Sequence, residues 1–244
     1  MLSSILTKLL ACIIVSRLEK AYELNLSESQ CGFRSKIGTQ DGCYMLHRIV
    51  QWARKSQKEV FTLMADLSAA FDHCCRTWVF EAARLVCGDN KLLDILEAMY
   101  GKTVAWLRGQ TAKFACKCGV RQGGNESPML YCCFSQKCLD DFENRCRLEG
   151  LDDFVIPFDI PPCASDTGKR ERGTTTVNYL AYADDICVFA LDLETLLRKF
   201  RILLDVFADF GLRCNLSKTC TIIYNWMLGK LPERICPHPL RPLP

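Results

Sequence analysis

Residues 179–190 read YLAYADDICVFA, in which two short apolar runs flank a pair of adjacent aspartates, Asp184 and Asp185. The flanking residues are mostly strand formers, so the pattern predicts a β-hairpin with the two acids at its tip. Adjacent carboxylates at a tight turn repel each other unless a cation lies close to them, and carboxylate oxygens are ligands that Mg²⁺ prefers. For the dipeptide alone, a solvated Asp-Asp turn is the simpler interpretation, because Asp is a favoured turn residue.

A third aspartate, Asp66, follows an apolar segment further upstream. Residues 60–72 read VFTLMADLSAAFD, and the first six residues, apolar apart from one Thr, have the pattern of a buried central strand. A carboxylate at the end of a buried strand costs free energy unless it is paired or bound to a metal. Asp66 and Asp184 are therefore predicted to meet at one edge of the sheet from separate strands, the minimum for a two-metal phosphoryl-transfer site.

Five segments resemble the motifs of reverse transcriptases, in the order in which that family has them. DLSAAFD at 66–72 and YADD at 182–185 resemble the two carboxylate motifs, GVRQGGNESP at 119–128 the motif between them, and GLRCNLSKT at 211–219 the motif after them. SQCGFRSKIGTQD at 29–41 resembles the fingers segment of non-LTR, LINE-like retrotransposon enzymes. Maturases and telomerase share the general motifs, so only the last segment favours the LINE-like group.

The order of predicted elements indicates an α+β fold, a mostly antiparallel sheet with helices on one face. The resemblance implies a right-hand polymerase palm over 60–224 and partial fingers over 1–59, in a truncated chain with the thumb absent. Residues 151–178 are predicted to be an inserted loop or hairpin and 225–244 an irregular Pro-rich tail. The other predicted elements are helices near 1–24, 41–55, 76–86, 91–100, 127–149 and 192–210, a hairpin over 103–118, and strands at 212–215 and 219–224.

The resemblance implies two Mg²⁺ ions, or Mn²⁺ in their place, held by Asp66 and Asp184 with Asp185 assisting. Such ions lower the pKa of a primer 3′-hydroxyl and neutralise the leaving pyrophosphate. Phe71 matches the family's steric gate, a ring that leaves no room for a 2′-hydroxyl, although burial statistics alone favour a core aromatic. Lys218 is implied to protonate pyrophosphate, and a surface lysine is the alternative.

Nucleotide or template contacts are implied for a further set of residues: Arg34, Lys36, Gln122, Gly123, Gly124, Ser127 and Asn215. The glycines would permit close backbone approach beneath the nascent base pair, and Asn215 would hold its loop. Ser127 is also predicted to cap the helix that follows. For Arg34 and Lys36, a solvated loop with two exposed cations explains the charge as well as a nucleic-acid contact does.

Composition gives weaker constraints. The 244 residues are 49% apolar with a net charge of +3, so a sizeable core is possible and nucleic-acid binding requires only a local basic groove. The 17 cysteines are odd in number and scattered through apolar runs, which indicates reduced thiols and an intracellular protein, in the nucleus or the cytoplasm. The apolar stretch at 9–15 favours an amphipathic core helix over a signal peptide, and no run is long enough to span a membrane.

The sequence therefore predicts an RNA-directed DNA polymerase domain whose partners are an RNA template, a DNA primer and dNTPs. Two alternatives remain open: a catalytically silent, nucleic-acid-binding relic of a retroelement, and an ordinary α+β binding domain with a chance Asp-Asp turn. Metal-dependent primer extension separates the first possibility from the other two. Nucleic-acid binding without extension would indicate the relic.

Overall fold

The computed structural model describes residues 5–101, 103–106, 113–160, 171–224 and 233–235. This part of the chain combines runs of helices with antiparallel strands, which confirms the predicted α+β class. In chain order the elements are α1 (Ile5–Asn25), α2 (Thr39–Ser56), β1 (Val60–Ala65), α3 (Ala70–His73), α4 (Arg76–Cys87), α5 (Lys91–Gly101), β2 (Val104–Trp106), β3 (Lys113–Ala115), α6 (Ser127–Leu148), β4 (Val155–Ile160), β5 (Glu171–Thr176), β6 (Tyr179–Tyr182), β7 (Asp185–Ala190), α7 (Leu193–Asp209), β8 (Cys220–Tyr224) and β9 (Glu233–Ile235).

The central sheet has five strands in the order β6-β7-β1-β8-β9, and every neighbouring pair is antiparallel. β1 lies in the middle, as its continuous apolar sequence predicts. β4 pairs with β5 in a separate antiparallel hairpin, one of the two forms predicted for residues 151–178, and β2 pairs with β3 in another. The residues that join the strands within these two small hairpins lie outside the described part of the chain.

The larger hydrophobic core lies between one face of the sheet and helices α1, α4, α6 and α7. α6 is its centre, since Leu130, Phe134 and Leu139 are completely buried. α1 contributes Ile14 and Leu18 to the same core, so it packs directly against the predicted palm.

A smaller core covers part of the opposite face of the sheet. Ile49 and Ala53 of α2 pack there with Phe154, at the base of the β4–β5 hairpin, and with Phe189 of β7. The remainder of this face, near the end of β1, stays open: Met64 is 39% exposed. The second core therefore leaves an accessible surface beside the acidic residues.

Helix limits agree with the sequence where the end signals are local. Asp192 accepts a hydrogen bond from the Thr195 N–H at 2.7 Å and so caps α7, and Gly211 follows this helix with φ 78°. α1 confirms the predicted helix, but its N-terminal apolar residues Ile5, Leu6 and Leu9 are exposed rather than in the core. No helix among the described residues combines the length and hydropathy required to cross a membrane.

Two predictions about strands were wrong. Residues 212–215 form only a single bridge, between Leu67 and Cys214, because their backbone bonds toward β1 reach only Asp66 and Ser68, after β1 has ended. The tail, predicted to be irregular, contains β9, which pairs with the outer edge of β8. This pairing satisfies backbone groups that β8 would otherwise present to solvent.

Candidate active site

The β6–β7 hairpin carries the two aspartates at its tip, as the sequence predicts. Tyr182 pairs with Asp185, so Ala183 and Asp184 are the two turn residues. Ala183 has φ 57°, in the left-handed region that non-glycine residues seldom adopt. The direction of the Asp184 side chain therefore depends on the contacts that stabilise Ala183 in this conformation.

Asp66 and Asp185 each lie one residue beyond the last pair of the β1–β7 ladder. Both line an open cleft of about 470 Å³, and Lys218 lines it with them. Burial raises the pKa of Asp185, the negative charges of Asp184 and Asp66 raise it further, and Lys218 opposes this effect. Asp185 is thus under the electrostatic influence of Asp66, which comes from a separate segment of the chain.

Asp184 lines a second cleft, of about 430 Å³, on the other side of the turn. Phe71 forms part of its wall, and its ring stacks on Tyr131 with centroids 4.3 Å apart. Beside Asp184, the cleft brings together most of the residues predicted to contact nucleotide or template: Phe71, Gln122, Gly123, Gly124 and Ser127.

The glycine loop at the edge of this cleft is packed closely. The Gln122 amide donates to both carboxylate oxygens of Asp72, at 3.0 Å each. A Cβ added to Gly124 would lie 2.8 Å from Glu126 Oε1 and from Ser127 Oγ, so only glycine fits there without a shift of these side chains.

A buried polar network supports the loop from below and corrects the prediction for Ser127. α6 begins at Ser127, and its cap position, Glu126, makes no side-chain capping bond. Ser127 is 2% exposed and its Oγ donates to the Arg121 carbonyl at 2.6 Å, so it fixes the loop rather than capping the helix. Glu126, equally buried, accepts from the Tyr100 hydroxyl at 2.9 Å, and the Arg121 guanidinium lies 4.5 Å from the Tyr100 ring centroid.

The backbone of Asn215 joins the loop before β8 to the end of β1. Its N–H donates to the Asp66 carbonyl at 2.7 Å, and its own carbonyl accepts from the N–H groups of Lys218 and Thr219. The Lys218 side chain, 67% exposed, reaches out from this loop, with Nζ 3.6 Å from Asp66 Oδ2.

The structure contradicts a nucleic-acid contact by Arg34. Its side chain is 5% exposed and forms an ion pair with Glu23 of α1 at 3.1 Å. The guanidinium also donates to the backbone carbonyls of Glu23, Ser27 and Gln30. Its hydrogen bonds are thus made inside the fold, because the last turn of α1 and the segment after it present a carboxylate and backbone carbonyls at this point. Lys36, in contrast, is exposed.

Sequence analysis missed Gln30 and Gly32, which contact the acidic turn directly. Gln30 is completely buried, and its Oε1 accepts from the N–H groups of Gly32 at 3.0 Å and Ala183 at 3.2 Å. A Cβ on Gly32 would lie 2.5 Å from the Ala183 nitrogen. The resemblance singles out the QCGFR segment, but neither a glutamine nor a glycine indicates which distant turn it contacts.

The donor chemistry of the site fits a divalent cation. Within the described ranges, no group of three or more His, Cys, Asp or Glu side chains converges closely enough to hold a metal ion. Asp66, Asp184 and Asp185 nevertheless supply hard oxygen ligands, and the charges of Asp184 and Asp66 add to the effect of burial in raising the pKa of Asp185. A cation beside them would relieve this repulsion.

The chain is similar to known proteins over most of its length. Residues 1–231 match the family model described as reverse transcriptase (RNA-dependent DNA polymerase). The chain is 24% identical over 225 residues to a retrovirus-related Pol polyprotein from a type-2 retrotransposable element of Drosophila melanogaster. That match covers 90% of this chain and 19% of the relative, so the chain spans about a fifth of that protein's length.

Solved telomerase structures share the fold. Apo telomerase from Candida tropicalis, truncated from its C-terminal domain, has a TM-score of 0.60 at 15% identity, covering 87% of this chain and 40% of that one. Telomerase from Candida tropicalis in complex with a telomeric RNA fragment has a TM-score of 0.58 at 13% identity, covering 90% of this chain and 34% of that one. At such identities the likeness concerns the fold alone, and it agrees with a polymerase palm.

Proposed function

The chain belongs to the reverse transcriptase (RNA-dependent DNA polymerase) family, and from this premise we propose that it adds deoxynucleotides to a DNA primer on an RNA template. The observation that carries the proposal is that Asp66 and Asp185 line one cleft beyond the last pair of the β1–β7 ladder, with Asp184 next to Asp185 in the β6–β7 turn. The retrotransposon relative supports the non-LTR type that the QCGFR segment favours.

The three carboxylates would hold two Mg²⁺ ions, or Mn²⁺, which when bound supply an activated 3′-hydroxyl and charge neutralisation at the triphosphate. Asp66 and Asp185 face the open side of the sheet, where the primer end would approach. Lys218 lies beside Asp66 on an exposed side chain, so it can place an ammonium proton near the leaving pyrophosphate.

The cleft beside Asp184 would take the sugar and base of the incoming nucleotide. Phe71 forms its wall, and the ring beneath it restricts its movement, so the space at the sugar 2′ position is limited. Gly123 and Gly124 bring backbone to the wall of the same cleft, where a base pair can lie against the chain without a side chain between them.

The partners and the location are part of the same proposal. The template is RNA, the primer is DNA and the substrates are dNTPs. The cysteines that the structure describes have free thiols, which supports an intracellular protein in the nucleus or the cytoplasm.

Primer extension on poly(rA)/oligo(dT) tests the function. Purified chain is mixed with labelled dTTP and Mg²⁺, Mn²⁺, Ca²⁺ or EDTA, and Asp184→Asn serves as the inactive control. We expect product with Mg²⁺ or Mn²⁺ alone. Binding of the duplex without extension under every condition would favour the relic, and absence of both would contradict the proposal.

A further inference from the structure

The segment around Gln30 extends the central sheet beside the acidic turn. Gln30 forms a parallel bridge with Ala181 of β6. The Cys31 N–H donates to the Ala181 carbonyl at 2.7 Å, and the Ala181 N–H donates to the Ser29 carbonyl at 2.8 Å. The QCGFR segment is therefore bonded to the strand that leads into the turn.

The Gln30 side chain continues this contact into the turn itself. Its Oε1 accepts from Ala183 and from Gly32, while Nε2 has no hydrogen-bond partner among the described residues. Because Ala183 is 2% exposed, its N–H would be buried and unpaired without this oxygen, and such a group is costly. The acceptor on Gln30 thus stabilises a backbone conformation that Ala183 would otherwise avoid.

Neighbouring contacts fix Gln30 and complete the support of the turn. Arg34 donates to the Gln30 carbonyl, and this arginine is itself held by Glu23. On the opposite side, Ser135 Oγ of α6 donates to the Ala183 carbonyl at 3.4 Å. Both backbone polar groups of Ala183 are therefore held by side chains from distant parts of the chain.

We propose that Gln30 is a positioning residue of the polymerase site, which holds Ala183 in its left-handed conformation and so directs Asp184 and Asp185 toward the metal ions. The inference rests on the proposed function. Asp184 follows Ala183 directly, so a relaxed turn would rotate its carboxylate away from Asp66. Groups that orient metal ligands typically change metal affinity or activity about 10- to 100-fold when they are removed.

The first test measures amide exchange of Ala183 by NMR on ¹⁵N-alanine-labelled protein, which needs no catalysis. Gln30→Met keeps the size and removes the acceptor, and Gln30→Glu at pH 6 restores an acceptor, since burial favours the neutral acid. Gln136→Met is the matched control: Gln136 is also buried and bonds Ser27 and Tyr179 rather than the turn. We expect faster exchange in Gln30→Met alone, and exchange as slow as in wild type there would overturn the inference.

The second test measures Mn²⁺ binding by electron paramagnetic resonance and steady-state extension with the same variants. We expect the Mn²⁺ dissociation constant of Gln30→Met to rise about tenfold or more, and kcat to fall with little change in KM for dTTP. Unchanged Mn²⁺ affinity and kcat, despite faster Ala183 exchange, would reduce Gln30 to a structural residue and overturn the positioning role. If wild type shows no extension while the slow amide exchange of Ala183 still depends on Gln30, the result would contradict the proposed function instead.

Discussion

The ring of Phe71 lies on the ring of Tyr131, with centroids 4.3 Å apart and planes inclined by 16°. Tyr131 is completely buried and cannot move aside, so it limits how far Phe71 can withdraw from the nucleotide cleft. Sugar selection would therefore depend on two stacked rings, one in contact with the nucleotide and one that supports it from beneath.

Phe71→Val should raise the ratio of ribonucleotide to deoxynucleotide incorporation by at least about tenfold, which corresponds to about 1.4 kcal/mol. Tyr131→Leu should raise the same ratio by a smaller factor, because Phe71 could then move into the vacated space. The measurement is single-nucleotide extension with rTTP and dTTP. An active Phe71→Val enzyme with an unchanged ratio would exclude the steric-gate role.

Tyr131→Phe provides the control for the supporting ring. The Tyr131 hydroxyl is buried and has no hydrogen-bond partner among the residues that the structure describes. Removing it retains the stack, so sugar selection should stay as in wild type. Stability should rise by about 1 kcal/mol, because an unsatisfied buried hydroxyl is removed.

Asp66→Asn and Asp184→Asn should each abolish extension while the melting temperature stays within a few degrees of wild type. Each change removes a charge that the divalent ions require, and the ions supply most of the transition-state stabilisation. Asp209→Asn is the control, since it breaks only an exposed ion pair with Arg145, which is worth little. Near-normal extension by either active-site variant would show that the two-metal assignment is incorrect.

The features that the sequence predicts well are those whose signal is local. β1 is a continuous apolar run, α7 has its capping Asp192, and the β6–β7 turn interrupts two apolar runs with acids. For Ser127 the local signal was misleading. A serine before Pro128 is a typical helix cap, but the Ser127 hydroxyl donates its hydrogen bond to the Arg121 carbonyl instead.

The features that the sequence does not predict depend on contacts between residues that only the fold brings together. Gln30 bonds Ala183, 153 residues away, and a glutamine has no spacing rule that indicates such a partner. Arg34 pairs with Glu23 across only 11 residues, but the sequence does not show that α1 ends where its carbonyls face the arginine. Charge alone made Arg34 and Lys36 look alike, and only burial distinguishes them.

Lys199 of α7 gives a pH-dependent prediction that is independent of catalysis. It is 1% exposed, and its Nζ donates to the Phe189 carbonyl at 3.2 Å. Burial lowers the pKa of Lys199, and this effect is opposed by nearby groups: Cys146, Asp153, Glu143 and Asp152. As pH rises above the lowered pKa, the folded state releases this proton before the unfolded chain does, so this group's contribution to stability increases up to about pH 10.4.

Lys199→Met should therefore raise the free energy of unfolding at pH 7, because no charge is then buried, and the gain should shrink toward pH 10. Urea unfolding of both proteins at the two pH values measures this difference. Comparing the variant with wild type cancels the titration of the cysteines and tyrosines that both share. A gain that grows with pH would contradict the lowered pKa of Lys199.

Substitutions of Arg34 and Lys36 should have different effects, one on stability and the other on nucleic-acid binding. Arg34→Met leaves Glu23, whose side chain is 15% exposed, without its cation, and breaking such a buried pair costs about 3 kcal/mol or more. Lys36→Met removes an exposed charge and should leave stability unchanged. If Lys36 contacts a phosphate, this second variant should reduce the slope of log affinity against log salt concentration by about one unit.

The measurements are urea unfolding and binding of a labelled primer–template at several salt concentrations, below the denaturation temperature of each variant. If the Arg34→Met variant remains folded, its salt slope should equal that of wild type. In wild type the Arg34 guanidinium is bonded to Glu23 and to three backbone carbonyls. It therefore does not bind a phosphate and releases no counterion from one. A reduced slope for Arg34→Met would mean that the arginine leaves its buried site when nucleic acid binds. An unchanged slope of log affinity against log salt concentration for Lys36→Met would show that Lys36 does not contact the nucleic acid.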